Sequence, residues 1–149
     1  MKITELTRDD IKDCVKLLIK AYNGRPWNFL WTPEKANLYL NELVDSAKFA
    51  GFCIYENDQL VAAMFAHLKT WWISDLLIID ELFVSPDKQG KGYGQNLMDS
   101  AEQFCERNNI SGINLITHKY MPAISFYDKN KFHQAAQYLL MFKDLDGKL

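Results

Sequence analysis

The segment over residues 80–105, DELFVSPDKQGKGYGQNLMDSAEQFC, constrains the fold of this chain more than any other part of the sequence. It begins with an apolar run typical of a buried strand, continues into a glycine-dense loop and ends in an amphipathic helical pattern. Glycine at Gly90, Gly92 and Gly94 removes Cβ atoms, so backbone N–H groups there can approach a ligand closely. A glycine loop that opens a helix favours an anion such as phosphate.

The spacing of these glycines excludes two common phosphate-binding motifs. The sequence has no G-x-x-x-x-G-K-[ST] string, and G-x-G-x-x-G would need glycine where Gln95 or Leu97 stands. The residues from Gln89 to Gly94 instead have the form Q-x-x-G-x-G, placed directly between a predicted strand and a predicted helix.

Length and composition predict one globular domain over residues 1–149. The formal net charge is −2 without a basic tract, which argues against binding nucleic acid through its phosphates. The sequence has no apolar run of membrane-spanning length, and MKITELTRDD lacks a signal-peptide core, so we expect a cytoplasmic protein without membrane contact. The three cysteines and three histidines are too scattered to predict a metal site.

Hydrophobic periodicity predicts the element order β-α-α-β-β-β-α-β-α-β, an α/β layer structure. The predicted fourth strand, DLLIIDELFV, carries two acidic residues near its end, and the predicted last strand is AAQYLLMFKDL, residues 135–145.

Two motifs give the chain a resemblance to a known family. LFVSPDKQGKGYGQNLM resembles the acetyl-CoA-binding motif of the GNAT superfamily of N-acetyltransferases, and MPAISFYDKNKF resembles its second hallmark, a helix with a tyrosine shortly before a phenylalanine. The resemblance implies a mixed, mostly antiparallel sheet with helices on both faces and splayed central parallel strands.

The resemblance also implies where acetyl-CoA would bind. The loop backbone would hold the pyrophosphate, the preceding strand would pair with the pantetheine arm, and an N–H near Leu82 or Phe83 would stabilise the acetyl oxygen. The implied cofactor-binding residues are Leu82, Phe83, Val84, Gln89, Gly90, Lys91, Gly92, Tyr93, Gly94 and Gln95.

Acyl transfer to an amine needs an acid for the leaving thiolate and a base for the ammonium. The resemblance places Tyr127 as the general acid, and the base is either Asp80 or Glu81. Adjacent strand residues point to opposite faces, so one of the two acids should face the acceptor unless a bulge intervenes. LLIIDELFV resembles the corresponding strand of spermidine/spermine N-acetyltransferases, whose base aligns with Asp80. The chain departs from the family at Tyr120, where many members have asparagine.

The acceptor site is expected in an aromatic loop that contains Trp27 and Trp31, although these rings could equally pack against the core. We expect direct acetyl transfer to a primary amine of a small molecule. The alternatives are acetylation of a lysine or N-terminal amine in a protein or peptide, and a non-catalytic module that binds acyl-CoA. Because dimers are common among similar proteins, a homodimer is a further expectation.

Overall fold

The computed structural model of this chain describes residues 1–148. These residues form two compact units, the first from Met1 to Ile116 and the second from Thr117 onward.

The first unit contains five strands and three helices. The strands are β1 (Lys2–Glu5), β2 (Phe49–Glu56), β3 (Gln59–Lys69), β4 (Leu76–Val84) and β5 (Gly112–Leu115), and the helices are α1 (Ile11–Tyr22), α2 (Pro33–Val44) and α3 (Tyr93–Arg107). No helix within residues 1–148 is both long and apolar enough to cross a membrane.

The strands form one sheet in the order β1-β2-β3-β4-β5. The first four strands are antiparallel, whereas β4 and β5 are parallel. The predicted mixed, mostly antiparallel sheet is therefore confirmed. Pairing between β4 and β5 ends at Ile79 and Leu115, while β4 continues to Val84. The second half of β4 thus has a main-chain edge that β5 does not cover.

Helices cover both faces of this sheet. Cys53 belongs to the core cluster that packs under α1 and α2, whereas the adjacent Phe52 packs edge-to-face against Phe104 of α3. Neighbouring residues of a strand point to opposite faces, so α3 lies on the face opposite to α1 and α2. In β3, Phe65 is fully buried on the α1 and α2 face.

Local sequence signals explain several element ends. Asn57 and Asp58 both have positive φ and form the two-residue turn between β2 and β3, as asparagine and aspartate readily do. Thr32 caps α2 by accepting a hydrogen bond from the Lys35 N–H at 3.2 Å, and Pro33 occupies the first helical position.

The second unit contains α4 (Ala123–Lys129), the predicted short helix. The predicted last strand over residues 135–145 is wrong, because residues 133–148 adopt neither helix nor strand. The apolar side chains of this segment are exposed, and Leu139 retains 85% of its accessible surface. A strand needs a partner edge for its N–H and C=O groups, and side-chain composition predicts strand propensity without supplying that partner.

Candidate active site

A β-bulge in β4 sets the geometry of the acidic pair. Glu81 pairs with Phe65 of β3 and Ile79 pairs with Ala66, so Asp80 is an extra residue without a partner on β3. Regular alternation would send Asp80 and Glu81 to opposite faces, but an inserted residue breaks that alternation. The side-chain contacts of both carboxylates lie on the α1 and α2 face.

Glu81 is held by two tyrosines from the covering helices. The Tyr39 hydroxyl of α2 donates to Oε1 at 2.6 Å, and the Tyr22 hydroxyl of α1 donates to Oε2 at 3.0 Å. Burial raises the pKa of Glu81, the nearby Asp80 charge raises it further, and the two tyrosine hydrogen bonds oppose this change. Burial also raises the pKa of Tyr39, so its hydroxyl remains a donor at neutral pH.

Asp80 contacts a histidine on the neighbouring strand. Its Oδ2 lies 2.6 Å from Nδ1 of His67 on β3. His67 is two residues beyond Phe65 and therefore shares the α1 and α2 face with it. Both partners are partly exposed, with 31% of the His67 side chain and 23% of the Asp80 side chain accessible. The bulge thus brings two carboxylates and an imidazole to one face.

The aromatic loop between α1 and α2 packs around the tyrosines that hold Glu81. Trp31 stacks on Tyr39 with ring centroids 5.1 Å apart, and Trp27 contacts Tyr22 edge-on at 5.5 Å. The Asn23 side chain fixes Trp31 by bonding to both its N–H and its C=O at 2.9 Å. Trp27 and Trp31 therefore pack on the tyrosines and remain partly exposed.

The glycine loop has the backbone conformation that only glycine adopts without strain. Gly90 has φ of +76° and Gly92 has φ of +91°, both in the left-handed region. A Cβ added at either glycine would meet nothing within 4 Å. Packing therefore does not require glycine here, whereas the backbone conformation does. Left-handed residues in a loop before a helix turn successive N–H groups toward one point, which suits an anion.

Charged side chains fix this loop to the rest of the first unit. Lys88 forms an ion pair with Glu56 at 2.8 Å, and the buried Tyr93 also donates to Glu56. On the other side, Lys20 contacts Ser85 at 3.0 Å and Asp87 at 2.8 Å. Hydrogen bonds from Lys20 and from the Ser85 hydroxyl lower the pKa of Asp87. The loop is held at both ends before any ligand arrives.

The other residues predicted to bind the cofactor lie in the glycine loop, in the first turn of α3 and at the end of β4. Lys91 and Gln89 are exposed in the loop, and Gln95 is exposed in the first turn of α3, where its amide contacts Asp99 at 2.9 Å. Leu82 and Val84 are half-buried and Phe83 is buried, all on the part of β4 that β5 does not pair. Their main chain thus joins the acidic pair to the glycine loop.

Tyr127 belongs to α4 in the second unit. It is buried between Phe126 and Phe132, with ring centroids at 5.3 and 5.5 Å. Tyr120 lies in the loop before α4, is 81% exposed and contacts His118 edge-on. Tyr120 is therefore not part of a packed cluster within this unit.

Comparison with known protein families identifies the family to which this chain belongs. The sequence profile described as the acetyltransferase (GNAT) family matches residues 12–132. This chain belongs to the GNAT acetyltransferase family. The resemblance inferred from the two motifs is thereby confirmed.

Individual relatives agree with this GNAT assignment. An N-acetyltransferase of Methanocaldococcus jannaschii is 27% identical over 138 residues, covering 89% of this chain and 60% of the relative. The chain thus spans about three-fifths of the length of that relative.

Two solved structures show the same fold. An aminoglycoside acetyltransferase from an uncultured soil metagenomic sample, in complex with sisomicin, has a TM-score of 0.75 at 20% identity, covering 97% of this chain and 96% of that chain. An aminoglycoside N-acetyltransferase in complex with CoA has a TM-score of 0.73 at 10% identity, covering 96% and 93%. At these identities the likeness is one of fold.

Three residues of this GNAT site were not predicted from the sequence as functional. The two motifs include none of Tyr22, Tyr39 and His67, and His67 is one of the three scattered histidines. A tyrosine on the apolar face of a helix brings a polar group to a buried surface, which is a usable signal. His67 offers no comparable signal, because its position opposite Asp80 depends on the strand register and the bulge.

Proposed function

We propose that this chain is an acetyl-CoA-dependent N-acetyltransferase that transfers an acetyl group directly to a primary amine of a small molecule. The observation that carries the proposal is the bulge in β4, which brings Asp80 and Glu81 to one aromatic-lined face beside the strand edge that β5 leaves unpaired. Family membership and the glycine loop support acetyl-CoA as the donor of the acetyl group.

The residues of the loop and of β4 would bind the donor. N–H groups from Gly90 to Gln95 would hold the pyrophosphate, with Lys91 adding a positive charge. The edge of Leu82, Phe83 and Val84 would pair with the pantetheine arm. An N–H of Leu82 or Phe83 would stabilise charge on the acetyl oxygen.

In the acetyl transfer, the protons lost by the amine must equal those taken up by the thiolate and by solvent. The amine arrives as an ammonium and loses one proton before attack and a second as the amide forms. The leaving thiolate takes up one proton, which we assign to the Tyr127 hydroxyl, and one proton is released to solvent per turnover. The acceptor of the first proton is placed at the acidic pair in β4 and the side chains that contact it.

Direct transfer also agrees with the state of the cysteines. Cys14, Cys53 and Cys105 are all buried, and burial raises the pKa of Cys53 and of Cys105 to about 11. A protonated, buried thiol is a poor nucleophile, which disfavours a covalent acetyl-enzyme.

Partly exposed aromatic rings and acids favour a cationic acceptor. Trp27 and Trp31 would contact the organic part of the amine, and the carboxylates would attract its charge. Sisomicin, present in one of the complexes described above, carries several amino groups, which supports a cationic small molecule as the acceptor.

The test is free-thiol release from acetyl-CoA with separate amines: sisomicin, spermidine, tyramine, a lysine-containing peptide and a peptide with an N-terminal alanine. We expect one of the first three to give the fastest release. Release with a peptide alone would favour the protein or peptide acetyltransferase. Binding of acetyl-CoA without thiol release from any amine would favour the non-catalytic module.

The general acid is tested by Tyr127→Phe. We expect turnover to fall about 100-fold, in the range typical of losing a general acid, while acetyl-CoA binding measured by calorimetry persists. Tyr138→Phe, in the exposed segment after α4, is the matched control and should turn over like the parent. Full activity of Tyr127→Phe would contradict the assignment of the acid.

A further inference from the structure

His67 is the one imidazole that the bulge brings to the acidic pair, among residues 1–148. Its Nδ1 contacts Asp80 at 2.6 Å, and its ring is partly exposed on the α1 and α2 face. No described residue forms a hydrogen bond with its second ring nitrogen, Nε2. The ring therefore has one nitrogen fixed by a carboxylate and the other available.

The contact with Asp80 decides which nitrogen carries the hydrogen. An ionised carboxylate only accepts hydrogen bonds, so Nδ1 must donate to Oδ2. In the neutral ring this leaves the lone pair on Nε2. Asp80 would also stabilise the imidazolium that forms when Nε2 takes a proton, as carboxylates do for catalytic histidines.

Glu81 is less suited to accept the proton. Both of its oxygens accept hydrogen bonds from tyrosine hydroxyls, at 2.6 Å and 3.0 Å. Both carboxylate oxygens are thus already engaged by donors from the covering helices, which leaves them less accessible to an incoming ammonium than Nε2 of His67. Glu81 instead ties α1 and α2 to β4.

The charged and titratable groups around His67 come from each neighbouring element. β4 contributes Asp80 and Glu81, and Tyr39 and Tyr22 come from α2 and α1. Before β2, the backbone C=O of Lys48 accepts a hydrogen bond from the N–H of Leu68, next to His67, but the Lys48 ammonium group is paired with Asp75 at 3.2 Å. Asp80 thus contacts the ring, Glu81 is the next residue of β4, and the Lys48 ammonium group is already paired.

We propose that His67 is the proton acceptor of the transfer reaction and that Asp80 is its positioning residue. This inference rests on the function proposed above. The N–H bond of the acceptor ammonium breaks, a new N–H bond forms at Nε2 of His67, and the imidazolium then releases this proton to solvent. The neutral amine keeps its electron pair for attack on the acetyl carbon.

The first experiment does not depend on activity. Long-range ¹H–¹⁵N correlation spectra of the ¹⁵N-labelled full chain, recorded above pH 8, report which ring nitrogen of His67 carries hydrogen. We expect the Nδ1–H tautomer for His67, and a mixture of tautomers in Asp80→Asn. A parent His67 in the Nε2–H tautomer would overturn the proposal, whether or not the chain is an acetyltransferase.

The second experiment measures kcat/KM for the fastest amine of the five named above. We expect His67→Gln to lose about 100-fold and Asp80→Asn about 10-fold, because general-base catalysis contributes at least this much. His133→Gln, at an exposed position after α4, is the matched control and should keep the parent rate. Thermal unfolding of each variant separates loss of function from loss of fold.

Two further measurements distinguish a base from a structural residue. Added imidazole should restore at least 10-fold of the rate lost in His67→Ala. The parent's rise of kcat/KM with pH in the range where histidines titrate, about pH 5 to 8, should disappear in His67→Gln but persist in Glu81→Gln. A Glu81→Gln variant that loses this rise while His67→Gln keeps it would assign the base to Glu81 and overturn the proposal.

If no amine releases thiol, the proposed function fails, and with it the catalytic role of His67. The tautomer measurement still reports separately on the geometry from which that role was inferred.

Discussion

At the scale of single residues, Glu81 shows how burial and hydrogen bonding oppose each other on one carboxylate. Burial disfavours its charged form and raises its pKa, while Tyr39 and Tyr22 donate hydrogen bonds that favour the charge. Burial has the larger effect. The folded state therefore holds a proton on Glu81 more tightly than the unfolded chain does.

This pKa change predicts a pH dependence of stability. Because the folded-state pKa is raised, the contribution of Glu81 to stability is fully present below the unfolded pKa and is lost as pH rises through the folded pKa. The free energy of unfolding of the parent, relative to Glu81→Gln, should fall as pH rises above the ordinary glutamate pKa of about 4.3. Urea denaturation across this range measures the difference.

A matched control for this measurement is Glu102→Gln, an exposed carboxylate on α3. Its stability difference from the parent should not decrease over the same pH range. If the difference in the free energy of unfolding between the parent and Glu81→Gln stays constant with pH, burial does not raise the pKa of Glu81.

The sequence identified the two acids as unusual but not their partners. A carboxylate inside an apolar run is conspicuous in any sequence, because burying charge is costly. Its partners are on distant parts of the chain: Tyr22 is 59 positions from Glu81, and His67 is 13 positions from Asp80. Which side chains meet depends on helix placement and strand register, which no local pattern encodes.

At the scale of elements, the glycine loop is defined by its backbone conformation rather than by its side chains. Gly90 and Gly92 hold positive φ in open surroundings. The residues before them are fixed by the Lys20–Asp87 and Lys88–Glu56 ion pairs, and Tyr93 after them donates to Glu56. The conformation of the loop thus exists in the folded chain itself, which reduces the entropy that binding would cost.

Replacing one of these glycines with alanine should destabilise the fold through backbone strain. Gly92→Ala should lower the free energy of unfolding by about 1 to 2 kcal/mol, because a Cβ is disfavoured at positive φ even where space is available. Acetyl-CoA affinity should fall as well if the N–H groups turn away. Urea denaturation and calorimetry measure the two effects.

Gly24→Ala is the control for this substitution. Gly24 does not have positive φ, and an added Cβ would approach Lys20 O no closer than 4.0 Å. Alanine there should be neutral or slightly stabilising. Equal destabilisation by both substitutions would show that glycine content in general, rather than the left-handed conformation, matters at Gly92.

Elements were predicted well where their own sequence carries the signal. The strand, glycine loop and helix predicted within residues 80–105 depend on residues a few positions apart, as do the cap at Thr32 and the hairpin turn at Asn57 in the structure. The sequence indicated only that a bulge would change which way the two acids point. Whether a bulge forms at Asp80 depends on pairing with β3.

At the scale of the whole molecule, the two units differ in how much of their chain is ordered into elements. In the first unit, β2, β3 and β4 form the centre of the sheet, and their inward side chains are buried. Residues 135–145 instead expose their apolar side chains and form no strand.

This difference predicts a gradient in amide hydrogen exchange. Backbone N–H groups of the central strands should exchange slowest, through opening of the first unit, while those of residues 139–145 should exchange fastest among the apolar segments. Exchange measured residue by residue by NMR or by mass spectrometry of peptides checks this. Slow exchange over 139–145 would mean that the segment pairs as a strand in solution, as its sequence pattern suggests.

The sequence by itself determined the elements up to α4, the glycine loop and the family, because propensity, capping and glycine conformation act over a few residues. Tertiary structure alone decided that Asp80 and Glu81 share a face, that two tyrosines bind Glu81 and that His67 binds Asp80. It also decided that residues 135–145 remain without a strand partner in the described chain. These outcomes depend on strand register and on the availability of a partner edge, which are set by contacts between distant segments.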